Sequence, residues 1–222
     1  MNDKQVLSYD QVTAAGLDDW RWLVGGLHAR FATGDFATGL ALADRIGAAA
    51  EVADHHPDLD LRYPVLAVRL VSHDVGGVTE RDLRLARRIS ELAADLEVAA
   101  EPGAIRVLEL ALDTADHAAV APFWRAILGY ADSPVHGDRE VVDGDGRLTT
   151  LWFQGTDAHD VPRQRFHLDI VVPPEQAQER IDAALAAGGT LVTDRFAPAF
   201  WVLADADGNQ ACVCTPEGRT GS

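Results

Sequence analysis

The sequence predicts an α+β protein of two domains, because two different arrangements of elements follow one another along its 222 residues. The first, over residues 1–98, is helix, hairpin, helix, strand, helix, which is typical of an antiparallel sheet with helices on one face. The second, over residues 105–216, repeats a strand, a helix and further strands with a period of about 55 residues. Between them, periodicity is lost and Pro102-Gly103 occurs, which predicts a linker at about 96–104.

The first domain opens with a short helix and a hairpin. Ser8 and Gln11 have the spacing of a capping box at the start of a helix over 8–16. The runs WRWLV and LHARFA are rich in strand-forming residues, and the pair Gly25-Gly26 between them predicts a tight turn.

Polar caps mark the two longer helices of this domain. Asp35 is expected to cap a helix that runs to about Ala53, since apolar residues recur there at helical spacing. The segment from Leu59 to Ser72 alternates as a β-strand does, and Thr79 is expected to cap the last helix, with Asp82 three positions later.

The second domain contains the same order of elements twice. IRVLELALD, HAAVAPFWRAIL and the hairpin REVVDGDGRLTTLWFQG give a strand, a helix and two strands. RFHLDIVV, PEQAQERIDAALAAGG and the strands TLV, FWVLAD and NQACVC follow in the same order. This is the pattern of two consecutive strand–helix–strands units.

The net charge and the distribution of apolar residues limit which binding partners and which cellular location are expected. The formal net charge of −16 argues against nucleic acid and anionic membranes, because both are bound through cationic side chains. No run approaches about 20 apolar residues, and MNDKQVLSYD lacks an apolar segment of signal-peptide type. We therefore expect a cytoplasmic protein without a nucleic-acid or membrane partner. Cys212 and Cys214 are expected to be buried free thiols, since a disulfide at that spacing on a strand would be strained.

Three histidines, His55, His56 and His73, fall where predicted elements end. The ends of elements meet at the edges of an antiparallel sheet, so the three imidazoles are candidates to share one cleft. Imidazole exchanges protons near neutral pH, and acid–base catalysis is one interpretation. Structural histidines and a zinc site are the alternatives, although adjacent histidines rarely both reach one metal.

The spacing of these histidines relative to four other residues resembles the signature of the pterin-4a-carbinolamine dehydratases. The signature runs Glu51-x-x-x-His55-His56-Pro57, followed by Tyr63, His73 and Asp82. The similarity covers about residues 5–95. Two positions depart from the usual pattern, because Leu59 replaces a common aromatic residue and Ser72 replaces a threonine.

The resemblance implies loss of water from a 4a-hydroxytetrahydropterin to give a quinonoid dihydropterin, with no metal or redox cofactor. It also implies a homodimer and a small-molecule pterin substrate. His55 and His73 are the implied acid–base pair, with His56 orienting the pterin. The implied substrate-binding residues are Glu51, Pro57, Tyr63 and Asp82.

Two of these residues carry specific expectations about their neighbours. Glu51 precedes His55 by one helical turn and is expected to face the same side. Asp82 is expected either to fix His73 or only to cap the last helix.

The repeat resembles the glyoxalase-like, or vicinal oxygen chelate, superfamily through LELALDTADHAAVAPFWRAILGY, HLDIVV and WVLADADGNQACVC. In metal-using members the ligands come from the first strand of each half and from the last strand. Aligning the two halves matches Glu109 with His167 as a weak candidate pair of metal ligands. The last-strand position falls on Cys212, near Gln210, where a cation that prefers oxygen would need a carboxylate.

Three functions are therefore open. The first is a dehydratase whose C-terminal domain has an unknown ligand. The second is a metal-dependent glyoxalase- or dioxygenase-like enzyme, or a small-molecule-binding protein, that acts through the C-terminal domain. The third is a non-catalytic dimerisation cofactor, as some animal proteins similar to dehydratases are.

Overall fold

A computed structural model describes residues 3–128, 130–158, 166–186, 188–204 and 210–218. The chain divides after Ile105 into two compact units. The predicted domain bounds, 1–98 and 105–216, stay predictions. Among the described residues, no helix has the length and apolar character needed to cross a membrane.

The first unit is an antiparallel sheet covered by helices. Its elements in chain order are α1 Tyr9–Thr13, β1 Trp20–Leu23, β2 Gly26–Ala32, α2 Phe36–Ala53, β3 Asp58–Arg62, β4 Val65–Leu70, α3 Glu80–Asp95 and β5 Ala99–Ala100. The strand order is β1-β2-β4-β3, and β5 pairs with β2. All of these pairs are antiparallel.

The helices of this unit pack on one face of the sheet, as predicted. Alternate residues of β2 and β4, among them Phe31 and Leu66, are buried in one core with residues of α2 and α3 such as Ile46 and Ile89. Buried residues recur at every second position on the strands and at every third or fourth position on the helices. Each element therefore has one apolar face, and these faces pack against each other.

Three local predictions are corrected. The first hairpin turns at Val24 and Gly25, which both have positive φ, so Gly26 belongs to β2. The segment after Leu59 is a hairpin of two strands, β3 and β4, that turns at Tyr63-Pro64, where the Pro64 carbonyl accepts hydrogen bonds from Thr33. The predicted linker is partly strand, because β5 lies within it.

The second unit consists of two consecutive βαβββ motifs, which confirms the predicted paired arrangement. Its elements are β6 Val107–Thr114, α4 His117–Leu128, β7 Ala131–Ser133, β8 Gly137–Val142, β9 Leu151–Gly155, β10 Phe166–Val171, α5 Pro174–Ala186, β11 Thr190–Phe196, β12 Phe200–Ala204 and β13 Gln210–Cys214. The strand order is β11-β12-β13-β10-β6-β9-β8-β7. Each first strand thus pairs in parallel with the last strand of its own motif.

The central strands β6 and β10 have two different faces. Leu110 and Leu112 pack in a core with Ala121 of α4, and Ile170 packs in a core with Ile181 of α5. Because side chains alternate along a strand, the odd-numbered residues of β6 and β10 point to the opposite face. Polar side chains collect on that face.

Candidate active site

The C-terminal turn of α2 separates the two adjacent histidines. Asp54 ends the helix in the left-handed conformation, with φ 47° and ψ 43°. The His55 N–H then donates to the Ala50 carbonyl at 3.1 Å, the long bond of a Schellman motif. This turn directs His55 into the protein, where it is buried, and leaves His56 exposed.

A buried carboxylate holds the ring of His55. The Nε2 atom of His55 lies 2.8 Å from Oδ1 of Asp82, a residue with no exposed surface. With Nε2–H as the donor to the carboxylate, Nδ1 is the remaining nitrogen that can accept a proton. The expectation that Asp82 fixes His73 is corrected, because its histidine partner is His55.

Asp82 is itself fixed by the start of α3. Its Oδ2 atom accepts a hydrogen bond from the Thr79 N–H at 2.7 Å and another from the Ser72 hydroxyl at 2.7 Å. Thr79 and Asp82 form the capping box that the sequence predicts. The helix N-terminus also favours a negative charge at this position. Asp82 therefore caps α3 and orients His55 at the same time.

His73 lies on the turn that joins β4 to α3. The Ser72 N–H donates to the Gly77 carbonyl at 3.0 Å, which closes the turn. Ser72 also donates its hydroxyl to Asp82, the partner of His55. Two side-chain hydrogen bonds therefore connect the residue before His73 to His55, while His73 itself is exposed.

Ion pairs of an exposed carboxylate also stabilise this turn. Asp74 contacts Arg81 at 2.6 Å and Lys4 at 2.9 Å. The Arg81 guanidinium, followed by the Lys4 ammonium, holds the pKa of the Asp74 carboxyl well below its usual range. The turn that carries His73 is thus tied both to α3 and to the segment before α1.

Glu51 pairs with His56 rather than with His55. Its Oε1 atom lies 3.1 Å from Nε2 of His56, and both side chains are exposed. Glu51 does not face the same side as His55, because α2 ends at Ala53 and the chain reverses at Asp54. Pro57 follows directly and is half-buried at the entry to β3.

Tyr63 lies away from these residues. It occupies the turn between β3 and β4 and is 73% exposed. The site lies where β3 begins, and Tyr63 comes five positions after Asp58, a distance of about 16 Å along an extended strand. Tyr63 therefore lies at the opposite end of β3 from the end of α2 and the turn that carries His73.

The second unit places a different set of polar side chains on its helix-free face. His167 Nε2 lies 3.4 Å from Oδ1 of Asp169, and His167 Nδ1 lies 3.5 Å from Oδ1 of Asp113. One ligand atom each from His167, Asp169 and Cys212 lies within 4.8 Å of the other two. The Cys214 thiol, burial and the Asp169 carboxylate raise the pKa of the Cys212 thiol.

The predicted pair Glu109 and His167 is corrected by the strand register. Glu109 pairs across the strands with Asp169, and His167 pairs with Ala111. Glu109 is buried on the same face but is not part of the three-residue group. Asp169 was not predicted, although its position two residues after His167 on a strand places both side chains on one face.

Comparison with known proteins agrees with this division. Residues 5–92 match the family model for pterin 4 alpha carbinolamine dehydratase, and residues 109–214 match that for a glyoxalase-like domain. A protein of Mycolicibacterium smegmatis, named "Putative pterin-4-alpha-carbinolamine dehydratase", is 38% identical over 92 residues, which are 40% of this chain and 98% of that protein. A protein of the same name from Nocardia farcinica is 40% identical over 91 residues, 40% of this chain and 96% of that protein.

Among solved structures, a transcriptional coactivator/pterin dehydratase from Brucella melitensis is 29% identical. The match covers 40% of this chain and 99% of that one, with a TM-score of 0.39. Because the two bacterial relatives are 38% and 40% identical and match over nearly their whole length, the chain belongs to the pterin 4 alpha carbinolamine dehydratase family through its first unit, and its residues 109–214 match a glyoxalase-like domain.

Proposed function

We propose that the first unit dehydrates 4a-hydroxytetrahydropterin to quinonoid dihydropterin by histidine acid–base catalysis. In this reaction the bond from C4a to the hydroxyl breaks, N5 loses its proton, and a C4a=N5 double bond forms. The hydroxyl takes up a proton and leaves as water. One group must therefore give a proton and another must accept one.

The hydrogen bond between His55 and Asp82 is the observation that carries the proposal. A buried carboxylate that fixes the tautomer and orientation of an imidazole is the arrangement used where a histidine must move a proton at one defined nitrogen. In this proposal Nδ1 of His55 exchanges the proton with the pterin. Asp82 is a positioning residue, since it acts through His55.

His73 is the second proton-transfer group of the proposal. Its turn is held by Ser72, which shares the Asp82 carboxylate with His55, and by the ion pairs of Asp74. An exposed imidazole on a braced turn reaches solvent and can be reprotonated between turnovers.

His56 and Glu51 are proposed to bind the pterin ring. The two exposed side chains lie side by side at the end of α2 and present one donor and one acceptor surface. Pro57 restricts the backbone that leads from them into β3. Tyr63 has no part in this intrachain site.

The proposal is tested by following the absorbance change as 4a-hydroxytetrahydropterin breaks down. We expect the native chain to exceed the spontaneous rate and His73→Ala to lower kcat by about 10²–10⁴-fold, the usual value of one acid–base group. His136→Ala is the matched control, because His136 is also exposed but lies in the second unit. An unchanged kcat in His73→Ala would remove His73 from the mechanism.

A further inference from the structure

The ligand set that the glyoxalase-like resemblance implies does not fit this chain. A cation that prefers oxygen needs carboxylates, and the last-strand position is the buried thiol of Cys212. Glu109, the expected carboxylate of the first strand, lies outside the group of neighbouring donor atoms. The residues that do lie together offer one nitrogen, one oxygen and one sulfur.

The spacing of two of these donors matches that of ligands on a tetrahedral ion, and the third donor lies close to both. With metal–ligand bonds of about 2.0–2.3 Å, two ligands of a tetrahedral zinc site lie about 3.4 Å apart. His167 Nε2 and Asp169 Oδ1 are separated by 3.4 Å, and Cys212 Sγ completes a group within 4.8 Å. A mixed imidazole, carboxylate and thiolate set is typical of zinc and its neighbours rather than of magnesium or calcium.

The sheet holds the donors rigidly. His167 and Asp169 are alternate residues of β10, and Cys212 of the parallel strand β13 is the direct register partner of Asp169. Three side chains on two hydrogen-bonded strands need little reorganisation to bind an ion.

The surroundings of His167 support a ligand role. Its other ring nitrogen, Nδ1, faces the carboxylate of Asp113 at 3.5 Å. A carboxylate behind the histidine is the usual outer partner of a metal-bound imidazole, because it fixes the tautomer that leaves Nε2 free to coordinate. The edge-to-face contact with Trp152 limits rotation of the ring.

We propose that the second unit binds one divalent transition-metal ion of the zinc class through His167, Asp169 and Cys212. Three protein ligands leave a fourth position for water or a substrate oxygen, which is the pattern of catalytic rather than structural zinc sites. The His167 side chain is 14% exposed, whereas Asp169 and Cys212 are buried.

The test is a titration of the chelator-treated full chain with Co²⁺, followed by displacement with Zn²⁺. We expect one Co²⁺ per chain and a thiolate-to-cobalt charge-transfer band that Zn²⁺ abolishes. A native chain without the band, or one that binds no Co²⁺, overturns the proposal.

Matched variants assign the ligands. Cys212→Ser should lose the band, while Cys214→Ser, which changes a buried cysteine two residues away, should keep it. Asp169→Asn should weaken Co²⁺ binding by at least about tenfold, a loss typical of perturbed metal sites, and Glu109→Gln should leave it unchanged. Retention of the band in Cys212→Ser, or dependence on Glu109 instead of Asp169, contradicts the proposed ligand set. Circular dichroism of each variant verifies folding, and the native titration decides the proposal if a variant does not fold.

Discussion

Replacing Asp82 with Asn removes one charge while keeping the shape of the side chain. Oδ2 accepts from Thr79 and Ser72, so the amide oxygen must take that side and the NH₂ group must face His55. Hydrogen bonds to a charged group contribute about 1.5–3 kcal/mol, and neutral ones about 0.5–1.5 kcal/mol. If the hydrogen bonds from Thr79 and Ser72 each weaken by about 1 kcal/mol, the free energy of unfolding should fall by about 2 kcal/mol.

The catalytic effect of Asp82→Asn should be larger than its effect on stability. An amide donor facing Nε2 favours the His55 tautomer whose proton is on Nδ1, and that nitrogen then no longer accepts a proton from the pterin. We expect kcat for carbinolamine dehydration to fall by about 10²–10⁴-fold. The measurement combines the absorbance assay with urea unfolding.

Asp95→Asn is the control for this variant, because Asp95 is the exposed last residue of the same helix. It should leave both kcat and stability near the native values. If Asp82→Asn is folded and keeps kcat within about threefold of the native chain, well below the usual effect of one acid–base group, the proposed role of the His55–Asp82 pair is refuted.

Two further predictions concern stability. Burial, followed by the charge of Arg69, lowers the pKa of His28 to about 4. The unfolded state therefore binds more protons than the folded state between about pH 6.5 and 4, and stability should fall as pH falls through that window, by at most about 3 kcal/mol. Urea unfolding at several pH values measures this loss, and His28→Gln should reduce it; an equal loss in the variant contradicts the assignment. In α2, Gly47→Ala should stabilise by about 0.5–1 kcal/mol because nothing lies within 4 Å of the added methyl group. Gly39→Ala places that group 2.6 Å from Leu61 and 3.2 Å from Thr33, and the crowding, which costs about 1–3 kcal/mol, should cancel or exceed the same gain; equal thermal shifts of the two variants would show that these side chains move aside without cost.

The caps and apolar periods in the sequence predicted most of the first unit. The capping residues Ser8, Asp35 and Thr79 all occur as N-caps in the structure. The β3–β4 hairpin was missed because its alternation continues on both sides of Tyr63-Pro64, and no glycine marks the turn. Local patterns of this kind reveal strand character better than they reveal chain reversals.

Which residues belong to the site was easier to predict than which of them form hydrogen bonds with each other. Helical spacing pairs Glu51 with His55. The left-handed conformation of Asp54 brings His56 to Glu51 instead. Non-glycine residues adopt that conformation too rarely for the sequence to indicate it. Asp82 was recognised as a helix cap, yet which histidine it contacts depends on how α2 and α3 pack. That is a tertiary property with no local pattern.

In the second unit the repeat predicted the order of elements but not the neighbours across strands. Aligning two halves matches equivalent positions, whereas an antiparallel pair of central strands brings different positions together. Glu109 is therefore opposite Asp169 rather than His167. The alternation of His167 and Asp169 on one strand is the local pattern that could have indicated their shared face, but Asp169 was not predicted.

The most direct test of the account is the rate of 4a-hydroxytetrahydropterin dehydration by the native chain and by His55→Ala, measured side by side against the spontaneous rate. The account predicts a clear acceleration by the native chain and a loss of about 10²–10⁴-fold in the variant. No acceleration by the native chain, or equal rates for the two proteins, would contradict it.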